Sequence, residues 1–234
     1  PGIEVGAGVS VGGGFAPSVT LVYNLDAANY TALPVNGSVV AGTGAHTITV
    51  SNSTGRLSYS ATNGGIFSLT GAGGTTTDTM YGGPNWVTGQ SYSVFMAYQR
   101  IATVDGRLLN TQSEASKDWL MGLYNGHPNT FYPNGSVNLP SSGADLLWRF
   151  GWATLNISTG VGQIWGATST QPTAYLFTAT NAGFGGFNQL RLFSRASGSE
   201  VQTANIGFVK VYNGVLTTAD IQGLYAQYKS RFGY

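Results

Sequence analysis

The sequence predicts an all-β domain, an antiparallel sandwich with one short helix near its C-terminus. Short runs in which apolar and polar residues alternate recur along the chain, and tight-turn residue pairs separate them. Helical periodicity is confined to a stretch close to the C-terminus. Strands that follow one another through short turns, with little helix between them, are typical of antiparallel sandwiches.

The predicted strands are short segments rich in β-branched and aromatic residues. They include 18–25, 47–50, 65–69, 92–98, 146–157, 188–193 and 205–212. The turns between them contain the residues that tolerate a left-handed backbone: Asn36-Gly37, Asn63-Gly64-Gly65, Gly82-Gly83-Pro84, Asp105-Gly106, Asn125-Gly126, Asn134-Gly135 and Asn213-Gly214.

The composition indicates a chain that can bury an apolar core. Apolar residues make up 42% of the 234 positions and aromatic residues 12%, whereas charged residues make up only 8%. Gly, Ser, Thr and Asn supply the polarity instead. All-β sandwiches of this length often form one domain, so we expect one sandwich over residues 18–234.

The net charge, the cysteine count and the length of the apolar runs disfavour several classes of partner and chemistry. The net charge of +1 forms no basic patch in the sequence, so no nucleic-acid partner is expected. The chain has no cysteine, which removes disulfides, thiolate metal sites and cysteine nucleophiles. No stretch approaches the roughly 18 apolar residues of a membrane helix, so we expect no membrane partner.

Residues 1–17 are predicted to be a Gly-rich stalk or linker. They contain two consecutive six-residue repeats, 1–6 and 7–12, with glycine at matching positions. A flexible linker and the end of an oligomeric stalk both fit this pattern. The chain opens at Pro1 rather than at Met, so we expect that residues upstream have been removed.

An aromatic row is predicted on one face of the strand at 146–157. Leu146, Trp148, Phe150 and Trp152 occupy alternate positions and therefore share a face. Such a row can stack on a sugar, but large rings also dominate the space between two packed sheets. We expect this row to lie in the core, facing the opposite sheet.

A single helix is predicted at about 218–229, packed on the sandwich. Thr217 is a good N-cap, and Asp220 stands three residues later, as in a capping box. The apolar positions have helical spacing and share one face: Ile221, Leu224, Tyr225 and Tyr228.

Both ends of the chain resemble the laminin-G-like, concanavalin A-like modules of phage structural and bacterial surface proteins. The resemblance lies in 206–221, where a core strand ends in Tyr-Asn before a capped helix, in the terminal 231–234 (Arg-Phe-Gly-Tyr), and in the opening 21–29. An acidic residue usual near a middle strand of these modules is missing from 65–69. The resemblance implies a jelly-roll sandwich that binds carbohydrate or serves in structural display.

No catalytic pattern is found, so we expect a protein that is not an enzyme and needs no cofactor or metal. Glycosidases on this kind of sandwich carry paired carboxylates on one strand, and the nine acidic residues here are scattered. Two histidines cannot form a multi-histidine zinc site. Glu114 and Asp118 are interpreted as a solvated pair, and Asp118 and Asp145 are the only loop acids that suggest calcium.

One segment, 124–135, has the composition of a glycan-binding loop. It combines aromatic rings, which stack on a pyranose, with amides that bind its hydroxyl groups. The candidate ligand residues are Tyr124, Asn125, His127, Tyr132 and Asn134. The alternative is an ordinary long loop whose Phe131 fills the core.

These observations and the resemblance favour a non-enzymatic virion surface protein, such as a capsid decoration, fibre or tail appendage. Its expected partners are itself, as a homotrimer, and other virion proteins, and its expected location is the virion surface or another extracellular setting. The alternative is a carbohydrate-binding adhesin that recognises a host surface glycan. A divergent glycosidase is the weakest of the three hypotheses.

Overall fold

The computed structural model describes residues 15–41, 47–71, 76–82, 91–102, 105–111, 119–124, 127–133, 137–138, 146–168, 173–178, 190–194 and 199–234. In these parts the chain forms two antiparallel sheets of eight strands each, with one α-helix near the C-terminus. The predicted all-β sandwich is confirmed. The predicted stalk repeats, His46, Glu114, Asp118 and Asp145 lie outside the described residues.

Sixteen strands are described, numbered here in chain order. They are β1 (Thr20–Asp26), β2 (Val39–Ala41), β3 (Thr47–Ser51), β4 (Leu57–Ser60), β5 (Ile66–Leu69), β6 (Thr79–Gly82), β7 (Tyr92–Arg100), β8 (Gly106–Thr111), β9 (Trp119–Tyr124), β10 (His127–Pro133), β11 (Val137–Asn138), β12 (Trp148–Asn156), β13 (Val161–Ala167), β14 (Thr173–Thr178), β15 (Leu190–Leu192) and β16 (Ala204–Asn213).

The strands are shared equally between two sheets. Sheet A has the order β14-β13-β12-β7-β16-β5-β4, and β1 also pairs with β16. Sheet B has the order β11-β10-β9-β8-β15-β6-β3-β2. The seven segments predicted as strands correspond to β1, β3, β5, β7, β12, β15 and β16, so the strongest alternating runs are found in both sheets.

The helix α1 (Thr218–Tyr228) has the predicted capping box. The Thr217 hydroxyl accepts from the backbone N–H of Asp220, and the Asp220 carboxylate accepts from the backbone N–H of Thr217. Asp220 also accepts from the backbone N–H and the hydroxyl of Ser18. Burial alone would raise the pKa of Asp220, but these hydrogen bonds lower it. The same carboxylate therefore fixes the helix start and the segment that enters β1.

The central strands of sheet A are buried on both faces. Along β7, Tyr92, Val94, Met96 and Tyr98 belong to the core between the two sheets. The alternate residues of the same strand, such as Phe95, belong to a second core beneath α1. The molecule is therefore a three-layer stack of sheet B, sheet A and helix.

The aromatic row of β12 is buried, but the expectation that it faces the opposite sheet is wrong. Phe150 and Trp152 are fully buried in the core beneath α1, and Trp148 packs at its border. The rings of Phe95 and Trp152 stack at 4.5 Å with 4° between their planes. Leu146, at the start of the row, is 49% exposed. The central strands of sheet A have two apolar faces, and the row lies on the face that packs against the helix. Alternation within one strand shows which residues share a face, but it does not show which layer that face contacts.

Arg231 joins the two ends of the chain, the segment around β1 and the C-terminal residues. β16 pairs with β5 on one side of an irregularity at Gly207 and with β1 on the other. At this junction the Arg231 guanidinium donates to Asp26 Oδ1 at 2.7 Å and to the carbonyl oxygens of Asn63, Gly65 and Gly207. A side chain at Gly207 would overlap the ring of Phe232. The C-terminal residues thus seal the junction of three strands.

Lys210 is a buried cation in the core beneath α1. Its Nζ donates to Asn24 Oδ1 at 2.6 Å and lies 5.0 Å from the ring centre of Tyr228. Burial lowers the pKa of Lys210 to about 8; the charge of Asp26 opposes this change and the charge of Arg231 adds to it. Folding therefore costs more free energy when this amine is protonated.

We expect the free energy of unfolding to respond to Lys210 between about pH 8 and about pH 10. The folded pKa lies below the unfolded value, so the unfolded chain binds more protons in this window and stability rises with pH. Relative to Lys210→Met, the natural protein should gain up to about 2 kcal/mol across the window. Denaturant unfolding of both proteins at several pH values measures this difference. Parallel pH curves for the two proteins would contradict the assignment.

Candidate functional site

The segment predicted as a glycan-binding loop is mostly strand. Tyr124 ends β9, and His127 and Tyr132 lie in β10, which pairs antiparallel with β9. Tyr124 stands opposite His127 in this pairing, and the backbone of Tyr132 stands opposite Leu120. The expectation of a long loop is therefore wrong for 127–133, while the candidate residues Asn125 and Asn134 lie outside the described residues.

A turn pair in the sequence indicates this hairpin. Asn125-Gly126 is a two-residue pair of the kind that joins antiparallel strands, and it separates β9 from β10. Two prolines, Pro128 and Pro133, are unfavourable within a strand because proline cannot donate to the sheet. Pro128 falls where the pairing of β10 with β9 is irregular, which is a position that tolerates proline within a sheet. Phe131, the residue expected to fill the core, pairs with Met121, which is a core residue.

A single row of paired positions crosses sheet B and includes Tyr132. Directly opposite residues of antiparallel strands share a face of the sheet. The row consists of Thr49, Tyr81, Arg191, Asn110, Leu120 and Tyr132, in the order of their strands. The neighbours of these positions along the strands, such as Met80, Leu109 and Leu192, fill the core between the sheets. The row therefore lies on the outer face of sheet B.

Four polar residues on this face form a cluster, which we call the outer polar cluster: Tyr81, Arg107, Asn110 and Arg191. Arg107 donates from Nη1 to Asn110 Oδ1 at 2.8 Å and from Nε to Glu200 Oε2 at 2.5 Å. Asn110 and Arg107 are buried, whereas Tyr81 and Arg191 are half-buried. The cluster thus has a buried floor and a more accessible side.

The backbone around the cluster is held in unusual conformations. Glu200 has φ +52° and Phe193 has φ +72°, values that residues other than glycine rarely adopt. The Glu200 carbonyl accepts from the backbone N–H of Arg107, and Phe193 donates to the Leu108 carbonyl. Such strain persists where the surroundings require it, and it is common at functional sites. Here Glu200 holds Arg107 in place through both its backbone carbonyl and its side chain.

Arg191 differs from Arg107 in its partners. Its guanidinium carbon lies 4.9 Å from the ring centre of Tyr81, and no carboxylate of the described residues pairs with it. Its Nε atom and the Nδ2 atom of Asn110 are both buried without a hydrogen-bond partner among the described residues. Burial lowers the pKa of Arg191, while its interaction with Tyr81 acts in the opposite direction. The unpartnered buried atoms of the cluster are therefore hydrogen-bond donors.

Two of the described acids have structural partners. Asp78 accepts from Thr54 and from the backbone N–H of Arg56, and Asp26 pairs with Arg231. Within the described ranges no group of three or more His, Cys, Asp or Glu side chains could hold a metal ion. The helix in the described part of the chain is also too short and too polar to cross a membrane.

The outer polar cluster was not predicted from the sequence. Arg191 could have been found, because it stands between Leu190 and Leu192 in a predicted strand and must face away from the core they share. Asn110 and Arg107 could not, because β8 was not among the predicted strands and its register with β15 depends on contacts distant in sequence.

Comparisons with known proteins place the fold. No protein-family model matches this sequence, and no curated protein sequence matches it. Domain 4 of AbnA, a GH43 extracellular arabinanase from Geobacillus stearothermophilus solved with arabinotriose, is similar with a TM-score of 0.60 and 13% identity, covering 88% of this chain and 98% of that domain.

Two further similar structures belong to larger proteins. The binding domain of botulinum neurotoxin DC, solved with rat synaptotagmin II, has a TM-score of 0.59 and 14% identity, and the match covers 88% of this chain and 51% of that one. Trypanosoma rangeli sialidase, solved with sialic acid, has a TM-score of 0.58 and 14% identity, covering 100% of this chain and 36% of the sialidase. At these identities the likeness shows a shared β-sandwich fold.

Proposed function

We propose that this chain is a non-catalytic binding module that recognises a glycan on the outer face of sheet B. The observation that carries the proposal is the cross-strand row, which brings Tyr132 into register with Asn110, Arg191 and Tyr81. Sugar sites combine rings with a few oriented polar groups, and this row contains both. The helix layer covers the opposite side of the sandwich, which supports the outer face of sheet B as the proposed binding face.

The similar structures support a binding role. Domain 4 of the arabinanase was solved with arabinotriose, and the toxin domain was solved with rat synaptotagmin II. Both domains share the sandwich fold with this chain. A fold alone assigns no ligand, so the choice of a glycan rests on the aromatic and polar residues of sheet B.

A role without catalysis is supported by the acids that the structure describes. Glycoside hydrolysis needs two carboxyl groups about 5–10 Å apart across the scissile bond. Asp26, Asp78 and Asp220 each accept several hydrogen bonds within the fold, and Glu200 is paired with Arg107. A carboxylate committed in this way is poorly placed to act as an acid or a nucleophile.

The setting we propose is a virion surface or another extracellular assembly, with the module as a homotrimer. The support is the resemblance of the two chain ends to phage modules, together with the hexad repeats at 1–12. The structure adds that Arg231 and Asp26, one from each of the resembling ends, are bound to each other. In this setting a display element and a glycan reader are compatible tasks.

We expect the alanine variants Tyr132→Ala and Tyr81→Ala to weaken glycan binding by at least about tenfold, because each removes a ring from the row. Glycan-array signal followed by calorimetric titration of a bound sugar measures the loss. His127→Ala, at the hairpin end of β10, should reduce the signal as well. Val161→Ala removes an exposed apolar side chain on sheet A and serves as the control. Unchanged binding in the tyrosine variants would contradict the proposed site.

The oligomeric state is tested separately by light-scattering mass on a sample that retains residues 1–14. We expect a mass near 73 kDa, roughly three copies of the 24.4 kDa chain, because the hexad repeats suit packing of identical chains. A chain that starts at residue 15 should lose the trimer if the repeats hold it together. A strict monomer in both samples would count against the virion setting and would leave glycan binding untouched.

A further inference from the structure

The outer polar cluster carries a positive charge that the described residues do not neutralise. Arg107 is paired with Glu200 through its side chain. Arg191, on the neighbouring strand β15, lies over the ring of Tyr81, and no carboxylate of the described ranges reaches it. A guanidinium stays protonated in proteins, so this charge is permanent.

The two unpartnered polar atoms of the cluster are both donors, and they belong to directly paired positions. Arg191 and Asn110 are opposite each other across β15 and β8, and the buried Nε and Nδ2 atoms lack acceptors in the described part of the chain. The oxygen of the Asn110 amide already accepts from Arg107. A buried donor without an acceptor costs stability, so the site favours a group that brings oxygen acceptors and no donors.

We propose that the outer polar cluster binds the carboxylate of an acidic sugar, so that the glycan recognised on sheet B is anionic. The inference rests on the proposed glycan-binding function and adds the chemical class of the ligand. A carboxylate supplies acceptor oxygens only, and its planar shape matches the forked N–H groups of a guanidinium. A neutral sugar hydroxyl would leave the charge of Arg191 unbalanced.

The arrangement also gives each residue a role. Arg191 is the contact residue, since it is half-buried and lies at the accessible side of the cluster. Arg107 is a positioning residue, because Glu200 and the strained backbone hold it against Asn110. Tyr81 fixes the plane of the Arg191 guanidinium through the contact between cation and ring.

The test uses uronate- and sialate-bearing oligosaccharides, each paired with its methyl ester, which keeps the sugar and removes the charge. We expect the full chain to bind at least one acid about tenfold or more tightly than its ester. Arg191→Gln should remove this preference, and Arg191→Lys should retain part of it, because lysine keeps the charge but lacks the fork. Lys229→Gln, which removes one charge in the helix layer, should bind as the natural protein does.

The outcomes separate this inference from the proposed function. Equal binding of acids and esters, or acid binding that Arg191→Gln leaves unchanged, overturns the inference and leaves a glycan-binding module. Binding of no sugar in the panel or in a neutral glycan array overturns both. Thermal melts of each variant show whether it is folded. If Arg191→Gln is not folded, the binding of acids and esters by Arg191→Lys still tests the inference.

Discussion

The central strands of sheet A bury both of their faces, and the placement of every other layer depends on this. β7, β12 and β16 carry apolar residues at successive positions, so one set packs against sheet B and the other against α1. A sheet of this kind is stable only when both faces are covered. The helix α1 packs on sheet A, and the polar row lies on the outer face of sheet B.

The helix layer is held in place by charged groups at its two ends. Asp220 binds the helix start to Ser18, and Arg231 binds the C-terminal turn to Asp26 and to the carbonyl oxygens where β1 and β5 meet along β16. Both carboxylates receive several hydrogen bonds, which offset the cost of partial burial. The residues that made the chain ends resemble known modules are therefore those that close the stack.

Alternation and turn chemistry were enough to predict the sandwich, seven strands and the capped helix, because these are local signals. These local signals gave wrong or missing predictions where the structure depends on contacts between residues distant in sequence. The aromatic row of β12 was assigned to the wrong layer, since a strand buried on both sides has no polar face to orient it. The candidate loop proved to be the β9–β10 hairpin, and Asn110, Arg107 and Tyr81 were not identified because only the register of sheet B brings them to Arg191. Tyr132 was a candidate because the segment 124–135 has the composition of a glycan-binding loop. It lies in the same row as these residues.

We propose that the glycan binds the outer face of sheet B, opposite the closed helix layer. Amide chemical-shift mapping with a bound glycan tests it most directly, since the two sheets consist of separate strands. We expect the largest shifts on β6, β8, β9, β10 and β15, around Tyr81, Asn110 and Arg191. Shifts concentrated on β13, β14 or α1, with sheet B unchanged, would contradict it.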